Sequence, residues 1–431
     1  MSDALKQGAM QIVQRLCESG FEAYLVGGCV RDEQLGRPVK DYDIATSAHP
    51  GQVQRLFERT VPTGLQHGTV TVVADKMPYE VTTFRREGGY EAFRRPTEVE
   101  YIDSLTEDLQ RRDFTMNAMA IDQNGHLIDP FDGMKDLERG VLRCVGQAEA
   151  RFGEDALRMM RCLRFASEYG LTVEQATWDA LNSGISLLRH IAMERTRAEL
   201  ERMVGGSDPN RALELLAESR ALRHVKQELL LSGLDKETEW PPLSRLTEME
   251  HRIAFIYIRL GAVPADVEED MIKLTFSRQQ METVKRIVAA HTALVSGLGE
   301  STERGGEPYL RKVWIAAVLK YGVSALRTLR EIYLLEDAPI RTDNVKVGRA
   351  VDVWRRIGAV WLEQMPVSAL AELAVGGKEL MDRLGVQGGP WTGRLLHRLL
   401  ESAALGELPN DKETLLAAAK EHYENMQEND E

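Results

Sequence analysis

Asp41 and Asp43, in the string Asp41-Tyr42-Asp43-Ile44, are the residues of this chain best placed to do chemistry. On a strand, residues i and i+2 share a face, so the two carboxylates would stand side by side while Tyr42 and Ile44 turn into the core. Such a pair suits Mg²⁺, which takes one or two protein carboxylates and fills its other positions with water and phosphate oxygens. Two such ions can hold both the attacking and the leaving oxygen of a displacement. Upstream, the apolar run Tyr24–Val26 stops at Gly27-Gly28, and Val30 onward reads as a helix. The glycine pair then sits on a strand-to-helix turn whose backbone N–H groups can face a phosphate. Metal-assisted chemistry on a triphosphate is what this spacing allows.

The elements that must position these residues form a mixed α/β head. Residues 4–19 read as an amphipathic helix with Ile12, Val13 and Leu16 on its apolar face and Gly20 past its end. Pro50–Phe57 is a short helix, and Gly68–Ala74 and Tyr79–Phe84, both rich in β-branched residues, are strands. Glu80, on the second of these, is either a third carboxylate for the metal or an exposed strand residue. Arg85–Thr97 combines glycines, a proline and arginines without periodicity and reads as a mobile loop. From Trp178 onward the pattern is almost wholly helical, with loop-rich boundaries at Gly233–Arg245 and Gly297–Pro308. Asp208-Pro209 starts a helix, with Pro tolerated in the first turn.

Two further stretches carry candidate ligands. In Gln110–Ile121, QRRDFTMNAMAI, Arg111 and Arg112 would favour a triphosphate or an RNA backbone, and Asp113 can accept a hydrogen bond from a ribose hydroxyl. In residues 154–169, EDALRMMRCLRFASEY, a helical projection puts Ala156, Met159, Met160, Leu163 and Ala166 on one face. Arg158, Arg161 and Arg164 fall opposite, with Asp155 at the edge. Cytosine and adenine both show an exocyclic amino donor beside a ring-nitrogen acceptor, whereas guanine and uracil reverse that order. An Asp carboxylate beside an Arg guanidinium presents acceptor beside donor, so Asp155 and Arg158 at i and i+3 could bond C or A and leave polar groups unpaired with G or U.

In order and spacing, GGCVRD followed by DYDIAT resembles the G-G…D-x-D signature of the polymerase-beta-like nucleotidyltransferases. The form narrows to class II tRNA nucleotidyltransferases, the CCA-adding enzymes, and their bacterial poly(A) polymerase relatives. RRDFTMNA, the Asp129-Pro130-Phe131-Asp132-Gly133 element with Asp136-Leu137, and EDALRMMR are similar to the family's further motifs. The resemblance is strongest over residues 21–170 and weak in detail after about residue 210. It implies an α+β protein: a catalytic head (1–145), a helical neck (146–206), a helical body (207–305) and a helical, tRNA-binding tail (306–431).

The activity it implies is template-independent addition of CCA to tRNA from CTP and ATP, with Mg²⁺ as cofactor. Asp41 and Asp43 would be the catalytic metal ligands, with Glu80 a secondary candidate. Gly27, Gly28 and Arg31 would hold the triphosphate. Arg112, Asp113 and Asn117 lie in the RRDFT-x-NA motif, whose RRD triplet is associated with ribose recognition; Asp155, Arg158 and Arg161 fit the motif to which protein-templated base selection is attributed, and Arg164 joins them in the polar row that faces the nucleotide. Glu194, Arg195 and Glu199 would brace the neck, and the Asp129–Asp136 element would act as hinge or scaffold. The full-length loop at 85–97, associated in the family with the change from CTP to ATP, argues against an enzyme that adds only A. The Gly388–Gly393 turn into a helix bearing Leu395, Leu396, Leu399 and Leu400 is a candidate RNA-phosphate contact, or a plain helix–helix turn. An A-adding enzyme, a poly(A) polymerase and a noncatalytic RNA-binding protein of the same fold are the rival readings.

Composition excludes other classes. The 431 residues, 43% of them hydrophobic, suffice for several domains, and no run approaches the roughly 18–20 apolar residues of a membrane span. MSDALKQGAM lacks the regions of a signal peptide, so a cytoplasmic protein is expected. Cys17, Cys29, Cys144 and Cys162 lie far apart without a C-x-x-C pair, which disfavours zinc and a disulfide framework. A formal net charge of −13 argues against nonspecific coating of nucleic acid but leaves room for a local basic track. Around His251, His291 and His397 nothing forms an H-D doublet or a two-His metal helix. The oligomeric state stays open, a homodimer included.

Overall fold

A computed structural model describes residues 2–91, 95–298, 302–335 and 345–430. The chain divides into two compact units, Met1–Thr238 and Glu239–Glu431. The division falls in the expected loop-rich stretch Gly233–Arg245, whereas the expected boundaries at 145/146 and 206/207 lie within the first unit and that at 305/306 within the second.

In the first unit, α1 (Ser2–Glu18) buries Ile12, Val13 and Leu16 and ends before Gly20, whose φ of 88° is the left-handed conformation that glycine tolerates. The strands in chain order are β1 (Ala23–Val26), β2 (Asp43–Thr46), β3 (Thr60–Gly64), β4 (Thr69–Ala74), β5 (Met77–Thr83), β6 (Arg85–Glu91), β7 (Arg95–Tyr101), β8 (Ala120–Ile121), β9 (Leu127–Ile128) and the short parallel pair β10 (Val141–Leu142) and β11 (Thr172–Val173). Seven form one mixed sheet in the order β3-β4-β5-β2-β1-β8-β9. Within that sheet, among the described residues, only β2 and β5 pair in parallel. Register places Val26 opposite Asp43 and Asp43 opposite Glu80, so the end of β1, the start of β2 and the middle of β5 share one edge of the site.

A separate pair, β6 with β7, corrects the expectation of a mobile loop at 85–97. β6 and β7 form an antiparallel ribbon paired from Arg85↔Tyr101 to Glu91↔Arg95, with residues 92–94 outside the described residues. A ribbon needs only its backbone ladder, so it carries no apolar period for a sequence reading to detect.

The helices of this unit are α2 (Gly28–Gln34), α3 (Pro50–Leu56), α4 (Leu105–Gln110), α5 (Gly133–Glu138), α6 (Ala148–Glu154), α7 (Leu157–Tyr169), α8 (Gln175–Gly184), α9 (Met193–Val204) and α10 (Pro209–Ser219). Asp208 caps α10, its side chain accepting from the Arg211 N–H. A core of Val26, Ala45, Phe84, Leu105, Leu109, Ala118, Ala120 and Val145 ties α4 to the sheet. Phe84 and Leu109 are fully buried there, each worth about 1.5–3 kcal/mol of transfer free energy.

The second unit is helical among its described residues, from Met249–Arg259 to Lys412–Asp430. Trp314 and Trp354 stack with ring centroids 6.2 Å apart. Gly358 keeps that space open, since a Cβ there would lie 2.9 Å from the Trp314 ring. His291 is packed against Tyr333, with Nδ1 2.9 Å from the phenol oxygen, and His251 Nε2 meets Thr328. The expected boundary Gly297–Pro308 lies partly outside the described residues; a helical segment, Thr302–Tyr321, occupies its later part and kinks at Gly306. Pro390–Ala404 is the helix opened by Gly388-Gly389, burying Leu395, Leu399 and Leu400. No helix among the described residues is long and apolar enough to cross a membrane.

Candidate active site

Alternation along the chain at the start of β2 does what the sequence pattern requires. Asp41 and Asp43 are exposed, while Tyr42 and Ile44 are buried. Asp43 opens β2 and Asp41 lies just before it, with the Tyr42 hydroxyl donating to Glu33 at 2.7 Å. Desolvation by the surrounding protein, then the charges of Asp41 and Glu80, push the Asp43 pKa up to about 6 against the opposing pull of Arg112. Crowded oxygen donors short of positive charge fit a hard divalent cation. Glu80 lies beside Asp43 across the strand pair but does not line the cleft, and no cluster of three or more acidic, His or Cys side chains in metal-holding geometry occurs among the described residues. The donor set this geometry offers is thus Asp41 and Asp43.

Across from the carboxylates the chain turns at Gly27 with φ 79° and ψ −131°, a conformation for which glycine is the default. Arg112 makes the same demand: a Cβ on Gly27 would lie 2.8 Å from its Nη1. The Arg112 Nε–H has no partner among the described residues. Gly28 starts α2, and no side chain caps the helix. Arg31, one turn on, is buried between Asp32, which it meets at 3.0 Å, the Asn117 carboxamide oxygen and the Tyr169 ring, 4.4 Å from its guanidinium carbon.

Asn117 continues a chain of contacts. Its amide donates to Asp113 Oδ1 at 3.0 Å, and Asp113 Oδ2 accepts from Arg161 at 2.8 Å through Nε and 2.6 Å through Nη2. Oδ1 also accepts from the Phe114 N–H. Burial alone would raise the Asp113 pKa, yet Arg161 and the Asn117 hydrogen bond hold it well below the usual carboxylate range. With both oxygens engaged, Asp113 fixes Arg161 and Asn117, and the expected ribose contact would require one of them to move. The turn bearing Asn117 rests on α5. Thr115 donates to Asp136 at 2.6 Å, Asp129 accepts from the Gly133 and Met134 N–H groups, and a Cβ on Gly133 would lie 2.2 Å from the Thr115 carbonyl oxygen. These contacts are those of a scaffold.

The expected single helix over 154–169 is two helices. α6 ends at Glu154, Asp155 is extended (φ −134°, ψ 103°), and α7 begins at Leu157. Asp155 and Arg158 therefore do not share a helix face. The Asp155 carboxylate caps the break, accepting from the Leu157 N–H at 3.0 Å, and takes Arg195 at 3.1 and 3.4 Å. Its acceptor groups drew the chain out of the helix, a competition that projection on a helical wheel ignores. Arg158 donates to Glu154 and to the carbonyls of Arg151 and Arg111, closing α7 onto the end of α4. Arg164 forms a buried pair with Glu199 at 2.6 Å and also meets Glu168. A 3-10 turn, Ile185–His190, precedes α9.

One cleft of about 590 Å³ brings these groups together. Gly27, Gly28, Arg31, Asp41, Asp43, Arg112, Asp113, Asn117, Asp155, Arg158, Arg161 and Arg164 all line it. Sequence reasoning missed the contribution of α9, whose Arg195 and Arg202 also face the cleft. Their i, i+7 spacing puts both on one helix face and was the available signal. It missed Phe165 as well, whose ring has the Arg31, Arg161 and Arg164 guanidinium carbons at 5.3, 5.1 and 3.9 Å. Their attraction to the ring face offsets part of the repulsion within the arginine row.

A mixed sheet presenting two carboxylates toward a glycine turn and an arginine-lined cleft, followed by helices, defines a nucleotidyltransferase of the kind that works with a divalent metal. Family models agree: a Poly A polymerase head domain matches residues 23–143, an RNA-binding site of polymerase A residues 170–230, and a tRNA nucleotidyltransferase domain 2 residues 350–419. The CCA-adding enzyme of Lactiplantibacillus plantarum is 36% identical over 418 residues, 96% of each chain. That of Geobacillus stearothermophilus is 36% identical over 429 residues, 98% of each chain. The crystal structure of the Bacillus stearothermophilus CCA-adding enzyme in complex with CTP superposes with a TM-score of 0.77 at 34% identity, covering 98% of both chains. This chain belongs to the CCA-adding enzyme family.

Proposed function

We propose that this chain adds C, C and A to the 3′ end of tRNA from CTP and ATP without a nucleic-acid template, releasing pyrophosphate. The observation that carries the reading is the single cleft in which both carboxylates, the glycine turn and the arginine row meet, in a chain that matches CCA-adding enzymes from end to end. Asp41 and Asp43 would hold Mg²⁺, which supplies a lowered pKa for the terminal 3′-hydroxyl and offsets charge at the α-phosphate. The Gly27-Gly28 turn with Arg31, Arg111 and Arg112 binds the triphosphate tail.

Asp155 has about four lone-pair sites, and three are taken by Leu157 and the two Arg195 contacts. The fourth, on Oδ2, suits the exocyclic amino group that C and A share. Arg158 completes the pair by turning from its carbonyl acceptors toward the ring nitrogen. The helical second unit, including the helix opened by Gly389-Pro390, contacts the tRNA.

The test is incubation with tRNA lacking its last three nucleotides, Mg²⁺, and each NTP singly and in pairs, followed by sequencing of the 3′ ends. Two additions from CTP alone, and CCA with no further growth from CTP plus ATP, are expected; Asp41→Ala should incorporate nothing while still binding tRNA. No use of CTP at all, with ATP used only on tRNA already ending in CC, would make this an A-adding enzyme. Long A tracts on any RNA would make it a poly(A) polymerase.

A further inference from the structure

α4 carries a buried acidic residue that the chemistry above does not use. Asp108 is 1% exposed, and its carboxylate is divided between two cleft arginines: Oδ1 accepts from Arg111 Nε at 2.9 Å, and Oδ2 lies 3.4 Å from Arg112 Nη2. A third contact, from the Arg85 N–H to Oδ1 at 3.2 Å, ties the same carboxylate to the first residue of the β6–β7 ribbon. A carboxylate is this deeply buried only when its charge is paired and its lone pairs are used. Leu105 and Leu109, on the same helix, are packed into the core under the sheet, so Asp108 has a rigid base.

The two arginines extend from this base into the cleft, Arg112 with Nη1 against Gly27 and an Nε–H without a partner among the described residues. Asp108 holds both guanidinium groups at the cleft wall, with Arg112 Nη1 beside the glycine turn where an anion would bind. The long arginine side chains have many rotamers, and a fixed acceptor behind them removes the cost of ordering them when the anion arrives.

We infer that Asp108 is a positioning residue for the nucleotide: it sets the orientation of Arg111 and Arg112 toward the triphosphate and anchors them to the base of the β6–β7 ribbon. The inference rests on the proposal that this cleft takes the triphosphate. Since the triphosphate is common to all NTPs, Asp108 acts on nucleotide binding without regard to the base.

Asp108→Asn keeps the shape and removes the charge. With tRNA lacking CCA and CTP, and with tRNA ending in CC and ATP, the variant should raise the KM of both nucleotides by about tenfold or more. It should leave the KM for tRNA and the discrimination against GTP and UTP unchanged. In an Arg111→Ala/Arg112→Ala background the same substitution should add no further rise, because its effect passes through those side chains. Asp108→Glu, which keeps the charge but shifts it by one methylene, should also raise both KM values, and it serves if the Asn variant does not fold. A folded Asp108→Asn or Asp108→Glu enzyme with unchanged nucleotide KM would overturn the inference, as would an equal effect in the background lacking both arginines. If the double Arg variant itself keeps the native KM, the triphosphate reading of the cleft fails and this inference with it. If that variant is impaired while the Asp108 variants are not, the cleft reading stands and only this inference falls.

Discussion

Replacing Gly27 with alanine tests the geometry of the cleft at its tightest point. The backbone there has φ 79° and ψ −131°, which an L side chain adopts only under strain of about 1–3 kcal/mol. For a unit of this size each kcal/mol lowers Tm by about 2–4 °C, so the first unit should lose roughly 2–12 °C in calorimetry. The added methyl would also stand 2.8 Å from Arg112 Nη1, and the flexible guanidinium rather than the backbone would yield. Loss of one charge-assisted hydrogen bond to phosphate, worth about 1.5–3 kcal/mol, corresponds to a roughly 10–100-fold rise in the KM for CTP. Gly28→Ala is the control, because its methyl would meet only Arg31 Nη2 at 3.5 Å, an ordinary contact, and its φ is not in the left-handed range. That variant should keep its Tm and raise the KM for CTP less than Gly27→Ala does. Equal behaviour of the two variants in steady-state kinetics and calorimetry would refute the argument from local geometry.

Asp43 predicts a pH dependence of metal binding. Its pKa of about 6 lies above the ordinary carboxylate value, so the folded protein without metal gains stability from this group at low pH and loses it as pH rises through 6. Metal needs the ionised form, whose fraction falls from about nine-tenths at pH 7 to about one-tenth at pH 5. Calorimetric titration with Mg²⁺ should therefore show about tenfold weaker affinity at pH 5, with the inflection moved to lower pH in Asp41→Asn; a flat profile would contradict the assignment. The buried Arg164–Glu199 pair predicts a stability effect. Glu199→Gln should cost about 3 kcal/mol in urea unfolding, near the low end for a broken buried pair because Glu168 remains, whereas Glu168→Ala, which removes only the more exposed carboxylate, should cost under about 1 kcal/mol.

Much of this site was legible before any coordinates. Alternation at Asp41-Tyr42-Asp43-Ile44 requires the carboxylates to face away from the core, and the glycine pair after an apolar run marks the turn. Both are local consequences of period-two geometry and of glycine's freedom at positive φ, and neither depends on distant partners. The helical character of the chain after Trp178 was likewise written in its periodicity. The tertiary structure decided what each charged group is doing. Asp155 leaves the helix because its carboxylate can cap Leu157 and bind Arg195, a residue 40 positions away. Asp113 has its oxygens filled by Arg161 and Asn117, and Asp108 is buried only because Arg85, Arg111 and Arg112 converge on it. The β6–β7 ribbon is held by backbone pairing that side-chain patterns do not report. Residue types and short-range spacing can be read along one dimension, but the sharing of one carboxylate among several arginines depends on distances that only the folded chain sets.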